Sequence, residues 1–84
     1  MKKQRLLQKV LSGTHNVRFS EVTALAKAFD FELDRVNGSH HIFIHPDIPE
    51  LLNLQNMQGK AKPYQIKQML QLIETHNLQL RNKS

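Results

Sequence analysis

The chain has no cysteine. Disulfides, thiolate nucleophiles and cysteine-type zinc sites are therefore excluded together, stability has to come from packing, and a metal would need histidine and carboxylate ligands alone. Redox chemistry by the chain's own side chains goes with them, and no cofactor is implied. Long apolar runs are missing too. With 39% hydrophobic and 23% charged residues in 84 positions, no stretch approaches the roughly 18 residues that span a bilayer. The basic start Met1-Lys2-Lys3-Gln4-Arg5 leads into Leu6-Leu7-Gln8-Lys9-Val10-Leu11, too short and too polar for a signal-peptide core. The expected location is the cytoplasm, with no membrane partner. No glycine-rich nucleotide loop, paired-carboxylate signature, internal repeat or low-complexity segment is present. A chain this short holds one domain, residues 1–84, with a modest core.

Acidic residues are scarce. Seven Asp and Glu face twelve Lys and Arg, a net charge of +5, and the acids cluster between Glu21 and Glu50 while both ends are basic. A polyanion is the partner such a balance favours.

Lys2 to Leu11 sets Leu6, Leu7, Val10 and Leu11 at the three- and four-residue steps of one helical face, with Lys2, Lys3, Arg5 and Lys9 on a solvated side. Ser12-Gly13-Thr14-His15-Asn16 ends this helix, Gly13 being suited to a left-handed C-terminal position, so residues 1–18 read as an N-terminal helix and connector. Ser20 is the expected N-cap of a second helix carrying Val22, Leu25, Ala26 and Phe29 up to Asp30, with Glu21 at its positive end. From Phe31 the period changes to two, predicting a half-buried strand with Glu32 and Asp34 outward. Asn37-Gly38 is a strong hairpin signal, and the chain reverses into His40 to His45. Pro46 and Pro49 end that strand, and Leu51 to Met57 reads as a third, with Leu52 and Leu54 on one face. Gly59-Lys60-Ala61-Lys62 is expected to be a basic loop before a last helix that opens at Pro63. Ile66, Met69, Leu70 and Ile73 make its stripe up to about His76. Leu78 and Leu80 can dock, and residues 81–84 are expected to fray. The order α-α-β-β-β-α implies an α+β fold: a three-stranded antiparallel sheet with helices packed on one face and the other face open.

Three histidines fall within Gly38-Ser39-His40-His41-Ile42-Phe43-Ile44-His45-Pro46, and histidine exchanges protons near neutral pH. Strand alternation puts His41, Phe43 and His45 on one face and His40, Ile42 and Ile44 on the other. With Ile42 and Ile44 read as core, the first set is the open face; next to a turn the rule does not choose between His40 and His41. One reading makes a histidine the general acid or base of RNA cleavage, removing the 2′-hydroxyl proton while cations hold the phosphoryl oxygens. Against it stand a metal site and plain half-exposed sheet residues. The metal reading suffers because His41 and His45 lie roughly 13 Å apart along a strand. Lys60 and Lys62 stand at a helix start that favours phosphate, and Phe43 or Tyr64 could stack a base. Ser39 beside His40 lacks the third, orienting acid of a nucleophilic triad; Glu32 or Asp34 is a candidate to orient an imidazole.

Phe31-Glu32-Leu33-Asp34-Arg35, the run Gly38 to Asp47 and Gly59-Lys60-Ala61-Lys62-Pro63 together resemble the HicA family, over Ser20 to about Leu80. The resemblance implies a small toxin of a toxin–antitoxin pair with a double-stranded-RNA-binding-domain-like fold that cleaves messenger RNA through the histidine of a Gly-Ser-His motif. That motif falls on Gly38, Ser39 and His40. It nominates His40 as catalytic, with His41 in reserve, and Gly38, Ser39, His41, Phe43, His45, Lys60 and Lys62 on the RNA path. A HicB-type antitoxin is the implied protein partner. Asp30 stands where the family commonly has glycine, and Asn53 and Gln55 replace a more basic or histidine-bearing segment. A non-catalytic RNA-binding module with the same fold is the alternative.

Overall fold

The computed structural model describes residues 2–13 and 16–80, with side chains from residue 7 onward. The solvated role of Lys2, Lys3 and Arg5, the Thr14-His15 part of the connector and the tail Arg81 to Ser84 lie outside the described residues. The chain runs through α1 (Lys2–Ser12), α2 (Phe19–Ala28), β1 (Glu32–Asn37), β2 (His40–His45), β3 (Ile48–Met57), β4 (Lys60–Ala61) and α3 (Pro63–Thr75). The strands form one antiparallel sheet in the order β1-β2-β3-β4. Among the described residues no helix is long and apolar enough to cross a membrane.

The layering is the expected α+β one, with a fourth strand in place of the expected basic loop. Gln58 and Gly59 both take positive φ (54° and 88°), the pattern of a type I′ turn, and return Lys60 opposite Met57 and Ala61 opposite Asn56. The connector before α2 then joins the outer side of β4. Arg18 bridges Lys60, the Phe19 N–H donates to Gly59 O at 2.8 Å and the Ala61 N–H to Val17 O at 3.1 Å.

Helix ends explain where α2 and α3 stop. Asp30 (φ 72°) and Asn77 (φ 53°) occupy the left-handed region. Beside them Phe31 N–H bonds Ala26 O and Asp30 N–H bonds Lys27 O, while Leu78 N–H bonds Ile73 O and Asn77 N–H bonds Glu74 O. Both are Schellman closures, the aspartate serving where glycine is the usual occupant. Gly13, expected to be left-handed, is not; Asn16 takes the positive φ (62°) instead. The N-cap of α2 is Arg18 rather than Ser20, because Glu21 accepts the Arg18 N–H at 3.0 Å and thereby satisfies a backbone donor at the helix start.

One face of the sheet carries the core. Phe43, Leu52 and Leu54 meet Val10, Val22, Leu25, Ala26, Ile66 and Met69, all essentially inaccessible. The buried Gln65 completes the join between α3 and β3 by accepting the Gln55 N–H at 2.7 Å. The helices sit toward β3 and β4, so β1 hangs past them. It is not the half-buried strand its alternation predicts: all six residues are exposed, and the strand bulges between Leu33 and Arg35. Phe31, the buried residue of that segment, precedes the strand.

α1 is tied to α2 by Lys9 Nζ, 2.8 Å from Glu21 Oε2. That hydrogen bond, and next the one from the Arg18 backbone, hold the Glu21 carboxyl below its ordinary value of 4.5. A depressed carboxylate contributes stability that is complete above its unfolded value and is lost as pH falls through the folded one. Glu21→Gln is therefore expected to lower the melting temperature at pH 7, and the deficit is expected to shrink below about pH 4.5, as thermal melts of both proteins across pH 3–7 would read out.

Candidate active site

The β1–β2 turn is Gly38-Ser39, one residue later than the Asn37-Gly38 expectation, with Asn37 paired to His40. Gly38 alone has positive φ (64°), the glycine-first pattern of a type II′ turn. This turn delivers β2 with the opposite facing from the one expected. His41, Phe43 and His45 lie on the helix side, opposite Leu54, Leu52 and Ile48. His40, Ile42 and Ile44 lie on the open side, where Gln55 and Asn53 oppose the first two. Phe43 and His45 are buried, at 1% and 7% exposure, so neither lines an open RNA path, and Phe43 is not placed to stack a base.

The three histidines have three different settings. The His45 Nδ1 accepts the Asp47 N–H at 3.0 Å while its Nε2–H donates to Phe29 O at 2.9 Å. Its ring meets Phe31 edge-on at 5.0 Å. This is a satisfied core histidine in the Nε2–H form. His41 rests on the Phe19 ring at 4.7 Å, and its Nδ1–H donates to Ser39 O at 3.2 Å, so it braces the turn from the helix side. His40, half-buried on the open face, has its Nδ1 at 3.2 Å from Asn53 Oδ1. No other protein hydrogen bond reaches its ring among the described residues.

Around His40 the turn is fastened from β3. Gln55 Nε2 donates to Ser39 Oγ at 3.1 Å, and the Asn56 N–H donates to Ser39 O at 2.9 Å. Gln55 is itself gripped by Gln65 of α3. Sequence reasoning missed Asn53, Gln55 and Gln65 as working residues. The first two were readable as the polar partners alternating with Leu52 and Leu54, and so on the open face; Gln65, on a helix, had no such signal. The carboxylates fill no orienting role: Asp34 pairs with Arg35 at 2.8 Å, and an amide, Asn53, holds the imidazole.

The lysines are less tightly gathered. Lys60 opposes Met57, two positions beyond Gln55 on β3, so it shares the open face with His40 at about 12 Å between Cα atoms, from strand spacing and rise. Its Nζ donates to Asn16 Oδ1 at 3.2 Å. Lys62 caps α3 and holds its Nζ 5.8 Å from the ring centroid of the exposed Tyr64, a cation–π distance. No group of three or more histidines and carboxylates among the described residues is arranged to hold a metal ion.

The facing of β2 is open to measurement. His45→Ala strips Phe29 O and the Asp47 N–H of their partner, at a cost of about 2–3 kcal/mol, which in a chain of this size lowers the melting temperature by on the order of 10 °C. His40→Ala should cost less than about 1 kcal/mol. Chemical denaturation of both variants gives the two values directly.

Compared with known proteins, residues 19–74 match the family described as the HicA toxin of bacterial toxin–antitoxin pairs. No curated protein and no solved structure matches the chain. The match covers most of the chain, from the first residue of α2 almost to the end of α3. The chain therefore belongs to the HicA family, the toxin side of a toxin–antitoxin system whose counterpart is an antitoxin.

Proposed function

We propose that the protein is a metal-independent endoribonuclease that cleaves messenger RNA, with His40 as its proton-transfer residue and a HicB-type antitoxin as the protein that restrains it by covering the His40 face. The observation that carries this reading is the position of His40. It is the hairpin histidine on the open face, anchored through one ring nitrogen by Asn53, with the other ring nitrogen unengaged among the described residues.

An imidazole so placed can take the proton from a ribose 2′-hydroxyl. The 2′-oxygen then attacks the adjacent phosphorus, the bond to the 5′-oxygen breaks, and that oxygen takes a proton from solvent water as it leaves, while the proton held by the imidazolium returns to solvent. The products are a 2′,3′-cyclic phosphate and a 5′-hydroxyl. Lys60, on the same face, supplies positive charge for the phosphate chain, and Lys62 adds charge at the start of α3, where the helix dipole already favours anions. Ser39 and Gly38 shape the turn beside the reacting nucleotide. Ile42 and Ile44, with Ile44 exposed, supply an apolar floor in place of Phe43.

Cleavage of a labelled messenger RNA in excess EDTA tests the reading. The wild type is expected to give fragments ending in 2′,3′-cyclic phosphate, and His40→Ala to lose at least a hundredfold in rate while keeping its fold. RNA binding without cleavage by the wild type would favour the binding-module alternative. Lys60→Ala is expected to weaken RNA binding several-fold and to lower the dependence of affinity on salt by up to about one unit of slope, measurable by titration at several salt concentrations.

A further inference from the structure

We infer that Asn53 is a positioning residue that fixes the tautomer of His40 and thereby assigns it the general-base half of the reaction; this deepens the ribonuclease reading and rests on it. The Asn53 side-chain oxygen can only accept a hydrogen bond. At 3.2 Å from His40 Nδ1, it requires the proton of the neutral ring to sit on Nδ1. The lone pair is then on Nε2, the nitrogen without a partner among the described residues. A ring held in this form can accept the 2′-hydroxyl proton at Nε2 but has none to give there until it has done so. His45 is held in the opposite form, proton on Nε2, by the Asp47 N–H. Two histidines of one strand thus carry opposite tautomers, each set by its hydrogen-bond partner rather than by the ring.

The placement of Asn53 supports a dedicated role. It opposes Ile42 on β3, diagonal to His40, within side-chain reach of that residue's ring. The residues directly across from His40 are Asn37 on β1 and Gln55 on β3, both neutral. The nearest charged side chains on that face by register are Arg35, opposite Ile42, and Lys60, beyond Met57. Among the described residues no carboxylate hydrogen-bonds the ring, and its partner there is the Asn53 amide.

Nitrogen-15 NMR of histidine-labelled protein at pH 8 reads the tautomer without RNA, the His40 signal being identified by its absence from His40→Ala. The expected result is a protonated Nδ1 and an unprotonated Nε2 in the wild type. In Asn53→Ala that preference should relax, with a tenfold or greater fall in the cleavage rate and an unchanged melting temperature. Asn53→Asp keeps the acceptor and adds a negative charge, so it should preserve the Nδ1–H form, restore much of the rate and move the acidic limb of the pH–rate profile to higher pH by about half a unit or more. A wild-type His40 protonated on Nε2, or an Asn53→Ala protein whose tautomer and rate both match the wild type, would overturn the assignment. Failure of the wild type to cleave any RNA would overturn the ribonuclease reading and the base role together. The tautomer spectrum would then report separately whether Asn53 orients the ring.

Discussion

The facing of β2 is the constraint on which the rest of the site depends. Side chains alternate across a strand, so a slip of one residue would exchange every inward group for an outward one. Phe43, opposite Leu52 and shut away from solvent, fixes the choice: exchanging it for Ile42 would expose an aromatic ring and break its contact with the helices. Once Phe43 is inward, His41 and His45 must be inward too, and His40 must be outward. His45 is tolerated there because both ring nitrogens are satisfied by backbone groups, without which a buried imidazole would be costly. The outward position of His40 is thus a by-product of core packing.

That facing was poorly legible in the sequence for a definable reason. Ile42, Phe43 and Ile44 are all bulky and apolar, and histidines occupy both phases of the strand, so alternation alone has no polar residue to break the tie. The partner that makes His45 a core residue is the carbonyl of Phe29, sixteen positions upstream, which no local pattern displays. Pairing with β3 would have decided the matter, because Leu52 and Leu54 are plainly inward and oppose Phe43 and His41. Yet a bulge between Phe43 and His45 shifts the register: counted back from the Pro46-Asp47 turn, Phe43 would meet Glu50 instead of Leu52. The elements with strong periodicity or strong punctuation fared better. α3 begins at Pro63 and ends beside His76 as its pattern indicates, and β2 spans His40 to His45.

Where the fold departs from expectation, turn chemistry is the cause. Gln58-Gly59 makes a tight hairpin although glutamine is an unusual residue for positive φ, and Lys60-Ala61 consequently becomes a strand that the connector also joins. Asp30 adopts the left-handed turn for which glycine is the usual residue, and the Schellman closure it completes places Phe31 in the core just before β1.

Amides rather than charges organise the site. In a basic chain with few acids, the turn that presents His40 is secured by Asn53, Gln55 and Gln65, and this has an electrostatic consequence. A carboxylate at Asn53 would add negative charge beside the ring and reduce the positive charge of the chain; an amide orients the ring without adding charge. Gln65 extends the arrangement into the core, since its buried side chain accepts the very N–H of the residue that holds Ser39. The Gly-Ser-His turn is therefore coupled to the packing of α3 on β3, and any change that loosens Ile66 or Met69 against the sheet would reach His40 through hydrogen bonds, without passing through the open face.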